Sequence, residues 1–543
     1  LSWVFAMIQT PFMAKYFYRK ERPKGEKTES YDKGVYKYFQ KLLNWALRNK
    51  GKFLIGSIAV LLISFYAFRF ISVNFMPGID YNQFIVEYKL PRGADIEKVE
   101  QDALKLQEYI KNIDGVKFAT TSIGQPPARY TLMRQMPTGG QNYAEVIVET
   151  EEISHVNEII PQIKQHLAEN YPDAETRVLR VGAAFSDYNV EVEFSGPDPL
   201  VLRQLAEEAK TIMKNEPSFE IVTDNWKNPT KKLTPKYSVD RAQKLGLTRK
   251  DMANSILVAT TGMPIGAFYE GDKQIPVVLK TDKDIAQNME GLLSIPVWGE
   301  RSVTSVPLNQ IADTISLKWE DELVNRFNGK RAIKVQANVF DGVTAFEAQA
   351  KIQEKIESME LPDGYTMRWD GETASSSEAN SALFAFLPLA VGLMLIIIIA
   401  LFNNLKQASI IFIVVPFAFM GISLGFNIMP ISFGFTAIIG ALGLIGMMIK
   451  NAVVLLDEIN LGIKNGKSQL TATIDAAISR MRPVMMASLT TILGMLPLIS
   501  DSMFQSMAVT IMFGLLVGSV VTLIVVPVLY AVFFKVDVSE LKS

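Results

Sequence analysis

The chain has 543 residues, of which 49% are apolar, with a formal net charge of −1 and no cysteine. The balanced charge gives no indication of a nucleic-acid partner, and the lack of cysteine excludes a disulfide scaffold and thiolate chemistry. The sequence carries no nucleophile elbow, phosphate-binding loop, zinc-ligand set or catalytic carboxylate pair. We therefore predict that the protein is not an enzyme and holds no cofactor or resident metal.

Apolar residues are concentrated in blocks long enough to cross a bilayer as helices, which takes about 20 residues. The sequence predicts the end of a membrane helix over residues 1–18 and a first full span over residues 53–71. Because the chain opens on Leu1, we expect it to be a fragment of a longer protein. Residues 19–52 are rich in lysine and arginine, so the positive-inside rule assigns this linker to the cytoplasm.

Residues 72–381 are largely polar and are predicted to form one external, periplasmic domain. Strand-like runs alternate with amphipathic helices in it, which predicts α/β modules with helices on one sheet face. Two cycles, opened by QFIVEYKL and YNVEVEFSG, resemble split βαβ units of ferredoxin-like type. Between residues 237 and 315, turns rich in Gly and Pro predict an inserted subdomain. Its start and stop signals predict a turn at Gly246 and a helix starting near Thr248.

Five further spans are predicted within residues 382–534, followed by a cytoplasmic tail over residues 535–543. Counting the crossings places the basic loops of the chain on one side of the membrane. The predicted fold class is thus a polytopic α-helical membrane protein with six full spans and a partial one. It carries a large periplasmic α/β domain with an inserted subdomain.

Lys450 is the only charged residue in the apolar run from Phe433 to Leu456. A lysine at the bilayer centre costs roughly 2.5–3.5 kcal/mol on insertion scales, so such residues usually face a bundle and mark an ion or proton pathway. We predict a coupling or charge-pairing role for Lys450 beside Asn451; the alternative is a lysine that snorkels from a helix end. The preceding turns contain Gly440, Gly443 and Gly446, and such small residues let helices pack closely. We therefore expect this packing to hold Lys450 inside the bundle.

Further polar residues mark the following helix. Arg480 and Arg482 stand at its start, where positive residues are expected at a cytoplasmic helix entrance, and we prefer that interpretation for Arg482. Ser488, Thr490 and Thr491 lie within the apolar run. Two interpretations stay open for these hydroxyls, since they could take part in a proton relay or satisfy neighbouring backbone groups.

Two residue pairs in the external domain could suggest metal binding. His155 and His166 are eleven residues apart, which on a helix separates them by roughly 16 Å, so they cannot share a metal by themselves. Met133 and Met136 form an MxxM pair, and thioether sulfur favours Cu(I). Methionine is also a common adaptable contact in exposed loops. We interpret both pairs as ordinary surface or loop residues.

Several longer motifs carry a resemblance to a known family. They are FMPGIDYNQFIVEYKLPRGA, VPLNQIADT, NGKRAIKVQANV, GLIGMMIKNAVVLLDE and RMRPVMMASLTTILGMLPL. On these motifs the chain resembles the carboxy-terminal half of an AcrB-type resistance-nodulation-division (RND) efflux permease. The resemblance implies porter modules around the substrate, a docking role for the inserted subdomain, and a homotrimer. It also implies a periplasmic adaptor (membrane fusion) protein and an outer-membrane channel as partners.

The resemblance also implies roles for individual residues. Lys450 matches the family lysine that pairs with two aspartates on a helix of the first repeat; Asn451 matches its neighbour, and Arg480 matches an arginine of the same relay. The family position that usually carries Thr or Ser is Ala487 here, so Ser488 would have to substitute.

The implied function is efflux of drugs or other small amphiphiles by proton antiport, driven by the proton motive force alone. The implied location is the inner membrane of a Gram-negative bacterium, in contact with membrane lipid. Two alternatives are kept. One is a heavy-metal (copper/silver) exporter of the same superfamily, and the other is a proton-driven protein-translocation accessory.

Overall fold

The structure is a computed structural model that describes residues 2–17, 34–76, 81–128, 134, 136–181, 187–281, 289–299, 304–321 and 323–538. Within those residues, six helices are long and apolar enough to cross a membrane. Apart from two helices near the start of the chain, the remaining described elements form two α/β modules and a subdomain inserted into the second module.

The first part of the chain is helical, with α1 (Ser2–Phe17), α2 (Val35–Arg48) and α3 (Lys50–Phe68). Helix α3 is the first of the six candidate spans. Helix α2 falls in the segment that we predicted only as a linker. Its apolar residues recur at helical spacing, but the basic composition of the segment concealed this periodicity.

The first module consists of β1 (Gln83–Lys89), α4 (Ile96–Lys111), β2 (Val116–Ile123), β3 (Tyr143–Thr150), α5 (Ile153–Asn170) and β4 (Glu175–Arg180). Its antiparallel sheet has the order β2-β3-β1-β4, so each helix connects two strands that have a third strand between them. Alternation along β1 places Phe84 and Val86 in the core with the helices and Glu87 on the other face.

The second module begins with β5 (Val190–Gly196), α6 (Pro199–Lys214) and β6 (Phe219–Asp224). The insertion then contributes β7 (Thr230–Tyr237), α7 (Val239–Lys244), α8 (Arg249–Ala259), β8 (Met263–Glu270), β9 (Lys273–Leu279), α9 (Met289–Ser294), β10 (Pro296–Val297), β11 (Val306–Pro307), α10 (Leu308–Ile311) and β12 (Ala312–Glu320). The module is completed by β13 (Arg326–Phe327), β14 (Lys330–Val339), α11 (Ala345–Glu357) and β15 (Thr366–Asp370). Strands β6, β14, β5 and β15 lie side by side, which repeats the strand order of the first module.

The inserted subdomain joins the second module through a two-stranded ribbon of β7 and β12. This ribbon starts at Thr230 and ends at Glu320, outside the bounds of 237–315 that the sequence suggested. Strand β7 reads TKKLTPKY and is largely exposed, so it lacks the apolar alternation by which strands are recognised. Inside the subdomain, the predicted helix start is confirmed, since Thr248 and Asp251 form a capping box at the start of α8.

The second module runs into the membrane without a linker. Strand β15 ends at Asp370, and α12 (Gly371–Phe402) starts at the next residue. Gly371 has a φ of 81°, a conformation that favours glycine, and forms a β-bridge with Val190. The carboxylate of Glu372 accepts hydrogen bonds from the Asn189 side chain at 3.3 Å and the Phe75 backbone N–H at 3.4 Å. This joint therefore ties α12 to β5 and to the segment after α3.

The remaining membrane helices are α13 (Leu405–Val414), α14 (Ala418–Ile428), α15 (Phe435–Lys464), α16 (Gln469–Met495) and α17 (Gln505–Phe533). Helices α13 and α14 form one candidate span, broken by a 3₁₀ turn at Pro416. Helix α17 lies at the centre and is the most buried of the six spans. A Cβ at Gly518 would lie 2.6 Å from the Met448 sulfur, so this glycine permits close packing of α17 on α15.

Candidate coupling site in the membrane helices

Lys450 lies at the middle of α15, about 22 Å from either end of the helix. Its side chain is exposed, and it makes no hydrogen bond or ion pair with another residue of the described chain. Lys450 therefore faces outward, midway along a candidate membrane span.

The side of α15 that packs inside the bundle is a different one. Leu444, Met448 and Leu455 are fully or almost fully buried in the core with α17. Gly443 and Gly446, by contrast, have no other part of the chain within 4 Å of where a Cβ would be. These two glycines lie on the same helix face as Lys450. The expectation that tight packing holds Lys450 inside this bundle is thus corrected, because only Gly440 lies on the packed side.

The neighbouring helix α16 continues this exposed surface. Arg480 of α16 pairs with Glu458 of α15, which fixes the relative depth of the two antiparallel helices. Eight residues back from Glu458 is Lys450, and eight residues on from Arg480 is Ser488, so Lys450 lies level with Ala487 and Ser488. We call the outward face Lys450 together with the exposed small residues of both helices around this level. They are Gly443, Gly446, Lys450, Ala487, Thr490 and Gly494.

Asn451 and Ser488 lie inside the bundle instead. Asn451 is 6% exposed and follows Lys450 by one residue, about 100° around the helix. The Ser488 hydroxyl lies 2.6 Å from that of Ser519 on α17, and both residues are buried. Ser488 consequently does not occupy the face of Ala487, for which sequence reasoning made it a substitute.

Arg480 has an acidic partner within the chain. Its Nε lies 3.0 Å from Oε2 of Glu458, and its terminal Nη2 also contacts this oxygen. Glu458 is about 12 Å along α15 from Lys450. The structure therefore does not bring Arg480 and Lys450 together. Sequence reasoning missed Glu458, although its place near the carboxyl end of α15, opposite a basic helix start, was a usable signal.

Thr490 and Thr491 bond within their own helix. The Thr490 hydroxyl donates to the carbonyls of Met486 and Ala487 at 2.9 Å, and the Thr491 hydroxyl donates to that of Ala487 at 3.0 Å. These contacts match the backbone-satisfying interpretation. Sequence reasoning missed a second hydroxyl pair, in which Thr436 and Ser506 lie 2.8 Å apart between α15 and α17.

Comparison with known proteins identifies the family of this chain. Residues 1–534 match the AcrB/AcrD/AcrF family. The chain belongs to this family. The fold is therefore that of an RND permease, a multi-pass membrane protein with a sheet-rich soluble part, and members of the family are transporters.

Two individual relatives show how much of this chain is matched and how much of their own length the match covers. The cobalt-zinc-cadmium resistance protein CzcA of Cupriavidus metallidurans is 28% identical over 68% of this chain and 36% of its own length. The multidrug resistance protein MdtC of Yersinia pestis is 22% identical over 98% of this chain and 52% of its own length. The chain thus spans about half or less of these relatives.

A solved structure supports the same fold. A crystal structure of a heavy metal efflux pump superposes with a TM-score of 0.73 at 20% identity. The superposition covers 92% of this chain and 52% of that one. At this identity the likeness concerns the fold.

Buried charges of the first soluble module are paired within the module. Glu87 lies 2.7 Å from Nε of Arg177 and 2.8 Å from Nη2 of Arg134, and Glu145 lies 2.7 Å from Nη1 of the same Arg134. Burial by itself raises the pKa of Glu87, but Arg177, Lys89 and Arg134 outweigh it and hold this pKa below its usual value. Glu87 is thus ionised, and both carboxylates are already bound by guanidinium groups.

The second module has a similar but less enclosed set of charges. Glu193, 2% exposed, accepts from Nε of Arg368 at 2.9 Å. Glu191 accepts from the Gln336 amide at 2.7 Å, and Lys334 is 3.7 Å away. Burial raises the pKa of Glu191, and the contacts from Gln336 and Lys334 offset this only in part.

Other residues of the types that commonly bind metals do not come together as a metal site in the described part of the chain. Among the described residues, no group of three or more His, Asp and Glu side chains could hold a metal ion. Both histidines lie on α5, where His166 stacks on Tyr109 with ring centroids 3.5 Å apart. Met136 is 37% exposed, and Met133 lies outside the described residues, so the MxxM pair cannot be placed.

Proposed function

We propose that this chain is the second repeat of an inner-membrane efflux permease of a Gram-negative bacterium, driven by proton antiport. The observation that supports this proposal is Lys450. It lies midway along a candidate membrane span on an outward face, beside two glycines that leave room for a close helix. A cation in that position needs an acidic partner, and the described part of this chain offers it none. Helices of the other repeat are the source we propose.

The chemistry of coupling follows from that pairing. A carboxylate on the facing helix attracts Lys450 when it is ionised and releases it when it takes up a proton. Helices packed through small residues can exchange between two discrete arrangements when such a pair forms or breaks. Moving one charge across 100 mV contributes about 2.3 kcal/mol, which is comparable to the cost of burying an unpaired lysine.

For the soluble part, we propose that the two modules are split βαβ porter modules and that the inserted subdomain docks outer partners. The family match and the shared strand order of both modules support this assignment. The β8–β9 hairpin exposes large apolar residues such as Phe268 and Tyr269, which suits a docking role. The proposed assembly is a trimer with a periplasmic adaptor protein and an outer-membrane channel.

Two cargo classes remain as candidates, each favoured by a different observation. The pairing of Glu87, Glu145 and Glu193 with arginines leaves these buried carboxylates occupied, which favours amphiphilic drugs over a divalent cation. The name of CzcA, a relative at 28% identity, favours a metal cargo. We place amphiphile export first because it rests on this chain's own contacts, and cation export second.

The test measures both cargo classes in one strain. Cells that lack their own efflux pumps would express the full-length permease with its adaptor and channel. We expect a fluorescent amphiphile to be exported and a protonophore to abolish the export. Tolerance to cobalt, zinc, cadmium, nickel, copper and silver is measured in parallel. Metal tolerance without dye export would replace the first candidate with the second, and neither phenotype would refute the proposed transport function.

A further inference from the structure

Helix α2 is fixed at the boundary of the membrane-spanning bundle. Leu43, Ala46 and Leu47 are completely buried in the core that α17 and α16 also form. One residue separates α2 from α3, so α2 ends where a span begins. Lys50 at that corner donates to the carbonyl oxygens of Ala531 at 3.3 Å and Val536 at 2.9 Å, at the end of α17. Helix α2 therefore lies at the depth where two spans leave the bilayer.

A second apolar stripe of α2 is not covered by this chain. Tyr38 is 77% exposed, Leu42 is 45% exposed and Trp45 is 51% exposed. At 100° per residue these three side chains fall within a sector of about 60°, separate from the buried one. Tyrosine and tryptophan are the residues that prefer the interface between lipid and water. The stripe thus has the composition of a surface that faces lipid headgroups.

A third sector of the helix is cationic. Lys37, Lys41 and Arg48 are exposed and fall within about 40° of each other, next to the aromatic stripe. None of the three forms an ion pair with a described residue, and the sequence from residue 34 to residue 79 contains no Asp or Glu. A helix with an apolar sector beside a basic sector typically lies in the membrane interface and favours anionic lipids.

We propose that the aromatic and cationic stripes of α2 form a binding surface for anionic phospholipid headgroups. Trp45, Tyr38 and Leu42 insert at the level of the glycerol backbone, and Lys37, Lys41 and Arg48 contact the phosphate groups. Charge complementarity and the position of α2 at the bilayer boundary select lipid over a soluble partner. Because α2 packs directly on α16 and α17, bound lipid would also hold the ends of these helices.

The experiment uses the purified permease reconstituted in vesicles whose acyl chains carry bromine, which quenches nearby tryptophan. One set contains brominated phosphatidylcholine, and the other contains brominated phosphatidylglycerol in a phosphatidylcholine background. The signal of Trp45 is the difference between the unmodified protein and Trp45→Phe. The test variant combines Lys37→Gln, Lys41→Gln and Arg48→Gln. The control variant removes three exposed cations of β7, with Lys231→Gln, Lys232→Gln and Lys236→Gln.

We expect Trp45 to be quenched more by phosphatidylglycerol than by phosphatidylcholine in the unmodified protein and in the β7 control. The preference should fall about fivefold for each charge removed from α2. Equal quenching by both lipids, or an unchanged preference in the α2 variant, would overturn the proposal. So would a Trp45 that neither lipid quenches, since protein would then cover the stripe.

Discussion

In the first soluble module, Glu87 and Glu145 each lie within hydrogen-bonding distance of an arginine, whereas Lys450 in α15 has no such partner within the described chain. Both regions take a charge away from water, but only the module supplies the opposite charge itself. A buried charge without a partner costs several kcal/mol, so a soluble module must pair its own. A membrane helix can leave this pairing to a neighbouring set of helices.

The difference indicates which charges stabilise a folded module and which remain available for a contact that can form and break. Arg134 contacts one carboxylate oxygen of Glu87 and Arg177 contacts the other, so both oxygens are already paired. Lys450 stands beside Gly443 and Gly446, where another helix can approach and leave. The paired charges therefore contribute to stability, and the unpaired one is suited to a changing contact.

The largest effect is expected when the membrane charge is removed. Lys450→Met in the full-length permease should abolish protonophore-sensitive export, because the facing carboxylate would have no cation to attract. Lys464→Met, on the last turn of the same helix, should leave export unchanged. Export is measured as dye accumulation in efflux-deficient cells at matched protein levels. Normal export by Lys450→Met would remove the contrast on which the coupling proposal rests.

Removal of a charge partner in the first module should affect stability instead. Arg177→Met leaves Glu87 buried with one guanidinium fewer, and we expect a loss of about 3–5 kcal/mol in the free energy of local opening. Hydrogen exchange of the amides in β1 and β4 measures this loss. The control, Arg180→Met on the same strand, breaks an exposed pair with Asp341 and should cost less than about 1 kcal/mol. Similar losses in both variants would contradict the contrast.

A smaller effect is expected inside the bundle. Ser488→Ala leaves the Ser519 hydroxyl without its partner, and interhelical hydrogen bonds of this kind average about 0.6 kcal/mol in membranes. We expect slightly lower thermal stability and normal export, with Thr490→Ala as the control. A loss of export at unchanged stability would instead make Ser488 part of the proton path.

The smallest effect is a dependence on pH that separates the two modules. The folded-state pKa of Glu191 is raised, so ionisation of this group opposes folding, and stability should increase as pH falls through the folded pKa toward the unfolded one. Glu87 has a lowered pKa, and its contribution is lost only at pH values below the unfolded one. Between pH 7 and pH 5, exchange protection of β5 should rise and that of β1 should not. Glu191→Gln should remove the rise; a rise that persists would assign it to another group.

Much of the soluble fold could be predicted because period-two and helical patterns are local. Strands β1 and β5 lie within the runs QFIVEYKL and YNVEVEFSG, and α8 starts next to Thr248 as expected. Ribbon strand β7 escaped prediction because its side chains are charged and exposed on both faces. Helix α2 was not predicted because basic residues lie among the apolar residues that recur at helical spacing.

The site was less predictable, since it depends on which side of a helix meets which neighbour. Lys450 could be found by its charge in an apolar run, but its direction could not, because three glycines in that run point to two different sides. Asn451 was grouped with it as its neighbour in sequence and Ser488 as the neighbour of Ala487, and rotation around the helices separates them from the outward face. Predicting Glu458 as the partner of Arg480 would have required the relative depth of α15 and α16.

The joint at Gly371 makes the second module and α12 a single lever. A flexible linker would absorb any movement of the helix, whereas a strand bridged to Val190 and continued by a helix has no slack. Helix α12 has 32 residues and is roughly 48 Å long, so a tilt of about 5° displaces its far end by about 4 Å. Such a rod can carry a small shift between membrane helices to the strands of the soluble module at nearly full amplitude.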